Sequence, residues 1–274
     1  MDEQAEEGRD LGSQKLDFHS LGDLKILAKS LEKFLITSIE KGDRAKEGSA
    51  YLCLGSVYFS LRDFRKAIDY HEKHLKLSIA IGDQAGERGA YGNLGNAYMS
   101  LGDFRKAIDY HEKALKIATE IGDQVAEGAT YRNLGSAYFS LGGFLKAIKY
   151  YEKHLKIAID VGDCAGEARA YENLGTSYFS LGGFRKAVEY LEKSLKIAIE
   201  IGNRAQEGTA YGNLGCAYSS LGDLRKAIEY HEKSLKIAIE IGNQAEEGRA
   251  YENLGSAYSS VGDLQKPLSI MKNI

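Results

Sequence analysis

Asparagine recurs every 40 residues along this chain, always directly before a Leu-Gly pair. A carboxamide offers two N–H donors and one acceptor oxygen, so it can bond both the C=O and the N–H of an extended peptide, whatever that peptide's sequence. The alternative is that these side chains bond neighbouring turns of their own scaffold, or persist only because one segment was duplicated. We predict that they line a peptide-binding groove. The asparagines are Asn93, Asn133, Asn173, Asn213 and Asn253.

Residues flanking this constant position vary and are the candidates for specificity. Arg132 and Arg169 are predicted to bind a carboxylate through two parallel hydrogen bonds, although plain solvation is the alternative for each. Met99, Phe139 and Phe179 lie one helical turn or so further on, where they offer apolar pockets to a partner or pack beneath the next segment. Asn96, which follows the Leu-Gly pair, completes the predicted set.

Six histidines raise the question of a metal site, and His71 and His74 have a spacing that metal ligands use on a helix. The position of His71 is, however, held by Tyr151 and Leu191 in the corresponding segments. A position that accepts leucine serves packing, so we predict no metal site. The sequence also has no phosphate-binding GxxxxGK[ST], no HExxH and no GxSxG motif, and we expect neither catalysis nor a cofactor.

A 40-residue repeat organises nearly the whole chain. Gly-Asp or Gly-Asn recurs without drift from Gly42 to Gly242. Such a fixed period marks a repeat architecture, in which each unit is one supersecondary element. The predicted layout is an acidic lead-in at 1–9, a degenerate capping repeat at 10–49, five full repeats at 50–89, 90–129, 130–169, 170–209 and 210–249, and a partial repeat at 250–274.

Each unit contains two amphipathic helices, which we name the A helix and the B helix. In one unit Tyr91, Leu94, Tyr98 and Leu101 advance by three or four residues, which indicates a helix and not a strand. A second stripe of the same period starts at Phe104. Glycine closes each helix and the following Asp caps the next. One hairpin cannot bury its apolar stripe alone, so we predict an all-α solenoid of stacked antiparallel helix hairpins.

Composition excludes several classes of protein. With 36 Lys and Arg against 39 Asp and Glu, the net charge is −3, which argues against binding of nucleic acid through phosphates. No apolar run approaches the roughly 18 residues that a membrane span needs. The acidic start lacks the features of a signal or transit peptide, and the three cysteines suggest neither disulfides nor zinc. We expect a cytoplasmic protein without a membrane span.

The repeated motif resembles the tetratricopeptide repeat. Tyr91-x2-Leu94-Gly95-x2-Tyr98 followed by Ala107 matches Trp-x2-Leu-Gly-x2-Tyr and the later alanine of that family, with Tyr in place of Trp. The resemblance implies a right-handed superhelix whose A helices line a concave groove. It departs from the family in its 40-residue unit, against the usual 34, and in lacking the closing proline.

Long units with AYGNLGNAY in the A helix and a Gly-Asp linker resemble the LGN/Pins class, also called G-protein-signalling modulators, and related large animal scaffolds. That resemblance implies repeats that bind extended peptide segments and help to orient the mitotic spindle. The Gα-binding motifs of that class have no counterpart here. A relative that clamps the carboxyl terminus of chaperones uses a lysine where this chain has Gly92, so that specificity is not expected.

The ends of the chain depart from the motif. Gln14, Lys15 and Phe18 replace its Leu, Gly and Tyr, as in a polar capping repeat, and Pro267 replaces the alanine of the last B helix. We expect a truncated array or a fragment of a longer protein. The predicted function is a non-catalytic adaptor that binds an extended or helical peptide segment of a partner protein. The alternative is a structural module that self-associates through its repeat edges and has no groove ligand.

Overall fold

The computed structural model describes residues 21–262, which form twelve helices and no strand. The chain divides into two compact units, Met1–Leu101 and Gly102–Ile274. The helices of unit 1 are α1 (Leu21–Glu40), α2 (Arg44–Ser60), α3 (Phe64–Ile81) and α4 (Gln84–Ser100). Those of unit 2 are α5 (Phe104–Ile121), α6 (Gln124–Ser140), α7 (Phe144–Asp160), α8 (Cys164–Ser180), α9 (Phe184–Glu200), α10 (Arg204–Ser220), α11 (Leu224–Glu240) and α12 (Gln244–Val261).

The prediction of an all-α fold of consecutive packed helices is confirmed. Even-numbered helices are the A helices and odd-numbered ones the B helices. In the α6–α7 hairpin, Gly135 lies against Tyr151 and Gly128 lies against Ile157. The numbers rise along α6 while they fall along α7, so the two helices are antiparallel. The long repeat is accounted for by helices of 17 or 18 residues separated by turns of two or three residues.

Turns follow the chemistry that the sequence predicts. Gly122 adopts the left-handed conformation at φ +71°, which lacks a steric cost only for glycine. The Asp123 side chain then accepts a hydrogen bond from the backbone N–H of Ala126 at 3.0 Å and so caps α6. Gly143 and Gly183 replace this aspartate at two B helices and provide no side-chain cap. Arg62, at φ +61°, is the one non-glycine residue with positive φ within 21–262.

The core of unit 2 lies between each B helix and the next A helix. Ile148 and Tyr151 of α7 pack with Leu174 of α8, and Leu191 of α9 packs with Leu214 of α10 in the same way. The motif leucines Leu174 and Leu214 are fully buried. Each hairpin thus buries its apolar stripe against its neighbour, as a repeat protein requires.

The structural helices and the sequence-defined repeats are offset. The predicted boundaries were placed one residue before the Tyr-x2-Leu-Gly motif, whereas the A helices begin six residues before those boundaries, directly after the capping Asp or Asn. Helix α1 is the B helix of the predicted capping repeat, and α12 is the A helix of the partial repeat. The lead-in at 1–9, the motif replacements at Gln14, Lys15 and Phe18, and Pro267 lie outside the described residues.

Candidate functional site

The recurring asparagines of unit 2 lie on the exposed side of consecutive A helices, α6, α8, α10 and α12. Helix α10 contacts both α8 and α12, so this side of unit 2 is a surface built from neighbouring A helices. We call it the A-helix face. Asn173 and Asn213 are half-buried, and each precedes a fully buried motif leucine that fixes the orientation of its helix. Asn93 holds the equivalent position on α4 of unit 1 and is also half-buried.

The hydrogen bonds of these asparagines differ from one repeat to the next. The side-chain amides of Asn173 and Asn213 make no hydrogen bond to any other residue within 21–262. Asn253 instead donates from Nδ2 to Sγ of Cys216 on the preceding A helix, at 3.8 Å. The first arrangement leaves a carboxamide for a ligand, whereas the second favours a role within the scaffold. The peptide-binding role of the five asparagines remains a prediction.

Arg132 of α6 and Arg169 of α8, both predicted from the sequence to bind a carboxylate, line one pocket. The pocket has a volume of about 370 Å³, and its apolar side includes Val125 and Val161. The Arg132 guanidinium makes no ion pair or hydrogen bond within the described chain. That of Arg169 donates only from Nε, to the carbonyl oxygen of Ala165 in its own helix at 3.2 Å. We call this site the arginine pocket.

Electrostatics in the arginine pocket are dominated by positive charge. Burial lowers the pKa of Arg132, and the neighbouring charge of Arg169 lowers it further, while Asp163 acts in the opposite direction. The Asp163 carboxylate is already engaged, because it accepts a hydrogen bond from the backbone N–H of Gly166 at 2.8 Å to cap α8. An added anion would therefore relieve repulsion between two guanidinium groups.

His154 lies in the wall of the same pocket and was not selected from the sequence. Its side chain is 6% exposed, and its Nδ1 has no hydrogen-bond partner within the described residues. Burial, followed by the charges of Arg132 and Arg169, lowers its pKa to about 4, so the imidazole is neutral at pH 7. The only signal in the sequence was variation, because His74 holds the equivalent position in one repeat while Ala114, Ser194 and Ser234 hold it in the others.

The next repeat has one acidic side chain at the position of a pocket arginine. Glu172 of α8 occupies the position that Arg132 has on α6. Burial raises its pKa, the charge of Glu246 on α12 raises it further, and a hydrogen bond from Gln206 lowers it. That bond runs from Nε2 of Gln206 to Oε2 of Glu172 at 3.5 Å. We call Glu172 and Glu246 the acidic pair.

The aromatic candidates are largely engaged in packing. Phe139 contacts Phe144 of the following B helix with ring centroids 5.2 Å apart, and it also packs on the α7–α8 core. Phe179 contacts Phe184 in the same way, at 5.3 Å. Both are half-buried, and these contacts favour the packing alternative, while their role as partner pockets stays a prediction. Met99 is also half-buried, and Asn96 is exposed on α4 of unit 1.

The histidines fill the packing position expected of them. His231 lies against Gly215 as Leu191 lies against Gly175, and His71 occupies the same place beside Gly55. Each of these positions requires glycine, because a β-carbon there would lie only 2.4–2.6 Å from the facing side chain. Within 21–262 no group of His, Cys, Asp or Glu is arranged to hold a metal ion. No helix in that part of the chain is long and apolar enough to cross a bilayer.

Comparison with known proteins identifies the family. The tetratricopeptide-repeat model matches residues 46–120, 86–160, 127–200, 166–240 and 206–268 in overlapping windows. These windows cover most of the chain, which therefore belongs to the tetratricopeptide-repeat family. Repeats of this family generally form non-catalytic scaffolds for protein interaction. No curated protein sequence matches the chain significantly.

Solved structures share the fold at low sequence identity. BtubC (BKLC) from P. vanneervenii has a TM-score of 0.71 and 24% identity, covering 80% of this chain and 92% of its own. The apo form of RapI has a TM-score of 0.75 and 17% identity, covering 90% and 70%. A STAND signal-transduction ATPase from Pyrococcus horikoshii with a tetratricopeptide repeat sensor has a TM-score of 0.69 and 22% identity, covering 90% and 41%. These likenesses concern the fold alone.

Proposed function

We propose that this chain is a non-catalytic adaptor whose A helices bind an extended or helical peptide segment of a partner protein. The observation that carries the proposal is the row of Asn173, Asn213 and Asn253, half-buried on α8, α10 and α12, where α10 contacts both of the other helices. Because Asn173 and Asn213 make no hydrogen bond within the described chain, their amides are available to the main chain of a peptide. In unit 1, Asn93, Asn96 and Met99 would contribute equivalent contacts.

At a finer level, we propose a cytoplasmic adaptor of the LGN/Pins kind, acting in cell polarity or spindle orientation. The support is the resemblance of the 40-residue unit and its AYGNLGNAY segment to that class. Membership of the tetratricopeptide family supports protein binding in general. Binding of a partner from the polarity machinery, measured with the full chain, would test this finer proposal.

The test of peptide binding compares the full chain with the triple variant Asn133→Ala, Asn173→Ala and Asn213→Ala. Random peptides displayed on phage are selected on each protein after circular dichroism has established equal helix content. We expect the wild-type chain to enrich peptides that the triple variant no longer enriches. A matched control changes Lys156, Lys196 and Lys236 to Gln, since these exposed residues lie on B helices of the same three hairpins. Equal enrichment by the wild type and the asparagine variant would overturn the proposal.

A second candidate, self-association through repeat edges, is favoured by a different observation. Ile159, Ile199 and Ile239 occupy equivalent positions near the ends of the B helices and are 51%, 51% and 52% exposed. Rows of exposed aliphatic side chains often mark protein contacts. Sedimentation of the full chain across a wide concentration range tests this candidate. It predicts a rise in mass that is abolished by changing the three isoleucines to Ser and retained in the asparagine variant.

A further inference from the structure

The A-helix face of unit 2 carries opposite charges in successive repeats. The arginine pocket brings together the side chains of Arg132 and Arg169, which lie on different A helices and make no ion pair with the described chain. One repeat further, Glu172 of the acidic pair makes no ion pair within the described chain and accepts a hydrogen bond from Nε2 of Gln206 at 3.5 Å. Arg132 and Glu172 directly precede Asn133 and Asn173, so a segment lying along that row meets positive charge first and negative charge next.

The arginine pocket has the components of a carboxylate site. Two guanidinium groups provide more N–H donors than one carboxylate can use, and bidentate pairing is the geometry that arginine favours. A third polar group, Nδ1 of His154, lacks a partner within residues 21–262 although the side chain is more than nine-tenths buried. Val125 and Val161 provide apolar surface for the methylene groups that precede a side-chain carboxylate.

The acidic pair has the complementary character. Burial raises the pKa of Glu172 and the charge of Glu246 raises it further, so a cation placed beside the Glu172 carboxylate is favoured. Arg169 acts on Glu172 in that direction but makes no ion pair with it. Arg249 pairs with Glu246 at 2.5 Å and leaves Glu172 without a basic partner. A lysine or arginine from another chain would supply it.

We propose that unit 2 selects a partner segment in which acidic side chains stand next to basic ones, with the acidic side chain bound in the arginine pocket and the basic one at the acidic pair. The inference rests on the proposed peptide-binding function and adds the chemistry of the ligand. The partner carboxylate belongs to an internal Asp or Glu, because the pocket wall offers apolar surface for a side-chain stem and the face continues to a second charged subsite. Charge complementarity of this kind fixes the register of a ligand on otherwise similar repeats.

The test uses a phage library of random 16-residue peptides joined to the coat protein at their carboxyl ends, so that no free terminal carboxylate is present. Selection is made on the full wild-type chain, on Arg132→Gln with Arg169→Gln, and on Glu172→Gln with Glu246→Gln. We expect wild-type selection to enrich a cluster of Asp or Glu beside a cluster of Lys or Arg. The arginine variant should lose the acidic cluster and keep the basic one, and the glutamate variant should show the reverse.

Affinities of the enriched peptides sharpen the result. Synthetic, amidated copies should bind the arginine variant at least about tenfold more weakly than the wild type, since a charge-assisted pair is lost. Replacing the peptide's acidic residues by Gln should then cost little further in the variant. Arg132→Lys with Arg169→Lys keeps the charge without the planar fork and should recover only part of the binding.

Failure of the inference is distinguishable from failure of the proposed function. Enriched peptides without the charge pattern, or a pattern unchanged in both variants, would overturn the inference and leave peptide binding intact. Acidic selection that appears only in a second library with free carboxyl ends would overturn it as well, because a terminal carboxylate would then be the ligand. No enrichment above background with any library would overturn both.

Discussion

The α8–α9 and α10–α11 hairpins share the same helices, turns and motif glycine, but the side chain packed on that glycine is apolar in one and polar in the other. In α8–α9 the aliphatic Leu191 packs on Gly175, whereas in α10–α11 the imidazole of His231 packs on Gly215. Both side chains are at most 1% exposed, and Nδ1 of His231 has no hydrogen-bond partner within the described residues. The position therefore requires a side chain of suitable size and shape, whether polar or apolar. The hairpin with histidine buries a polar atom that the hairpin with leucine lacks.

Truncating the buried motif leucine should destabilise the two hairpins equally, and this is the largest effect we expect. Leu174→Ala and Leu214→Ala each remove a fully buried side chain, and each should lower the free energy of unfolding by about 2–5 kcal/mol. Urea denaturation of the full chain measures both. Costs that differ by more than about 2 kcal/mol would show that the two frames are not equivalent. Leu181→Ala, at a 42% exposed position, is the control and should have a small effect.

The glycine of the packing position should be the next most sensitive. A β-carbon at residue 175 would lie 2.6 Å from Cγ of Leu191, and one at residue 215 would lie 2.4 Å from Cε1 of His231. Gly175→Ala and Gly215→Ala should therefore each destabilise by about 1–3 kcal/mol through overpacking. Gly248→Ala, where a β-carbon would meet nothing within 4 Å, should be neutral or slightly stabilising in the same thermal unfolding assay.

The difference between leucine and histidine should appear in the pH dependence of stability. Burial lowers the pKa of His231 from 6.5 to about 4, so protonation favours the unfolded chain. Its contribution is complete above pH 6.5 and is lost as the pH falls from 6.5 towards 4. His231→Leu should reduce the fall in melting temperature between pH 7 and pH 5. The same loss of stability in the variant and the wild type would assign the dependence to other groups, such as His71 and His154.

The smallest effect on stability is expected at the turn where Arg62 replaces the glycine of the other repeats. Arg62 has φ +61° where Gly102, Gly142, Gly182 and Gly222 hold the equivalent turns. Arg62→Gly relieves left-handed strain but increases the freedom of the unfolded chain, so a net stabilisation of about 1 kcal/mol or less is expected. Arg62→Lys retains the strain and is the matched control. A lower melting temperature for the glycine variant would mean that the Arg62 side chain stabilises the turn.

Much of the repeated helical hairpin was predictable, because the sequence patterns that define it are local. The Gly-Asp turns, the spacing of Tyr, Leu and Gly, and the exchange of His71 for Tyr151 or Leu191 each depend on a few consecutive residues and a known helical period. The Asp and Asn caps also located the starts of the A helices, whereas the repeat boundaries were placed six residues later. Sequence spacing left Phe139 and Phe179 open between a pocket and the core, because their contacts with Phe144 and Phe184 on the B helices depend on tertiary packing.

The sequence by itself determined the all-α repeat, its helices and turns, and the residues that vary on a constant frame, since these follow from periodicity and backbone preference. The tertiary structure alone decided which variable residues meet. Arg132 and Arg169 are 37 positions apart, and their common pocket, the buried His154 in its wall and the neighbouring acidic pair arise from the packing of successive hairpins. Charges from separate helices act together only where packing brings them close and removes water between them.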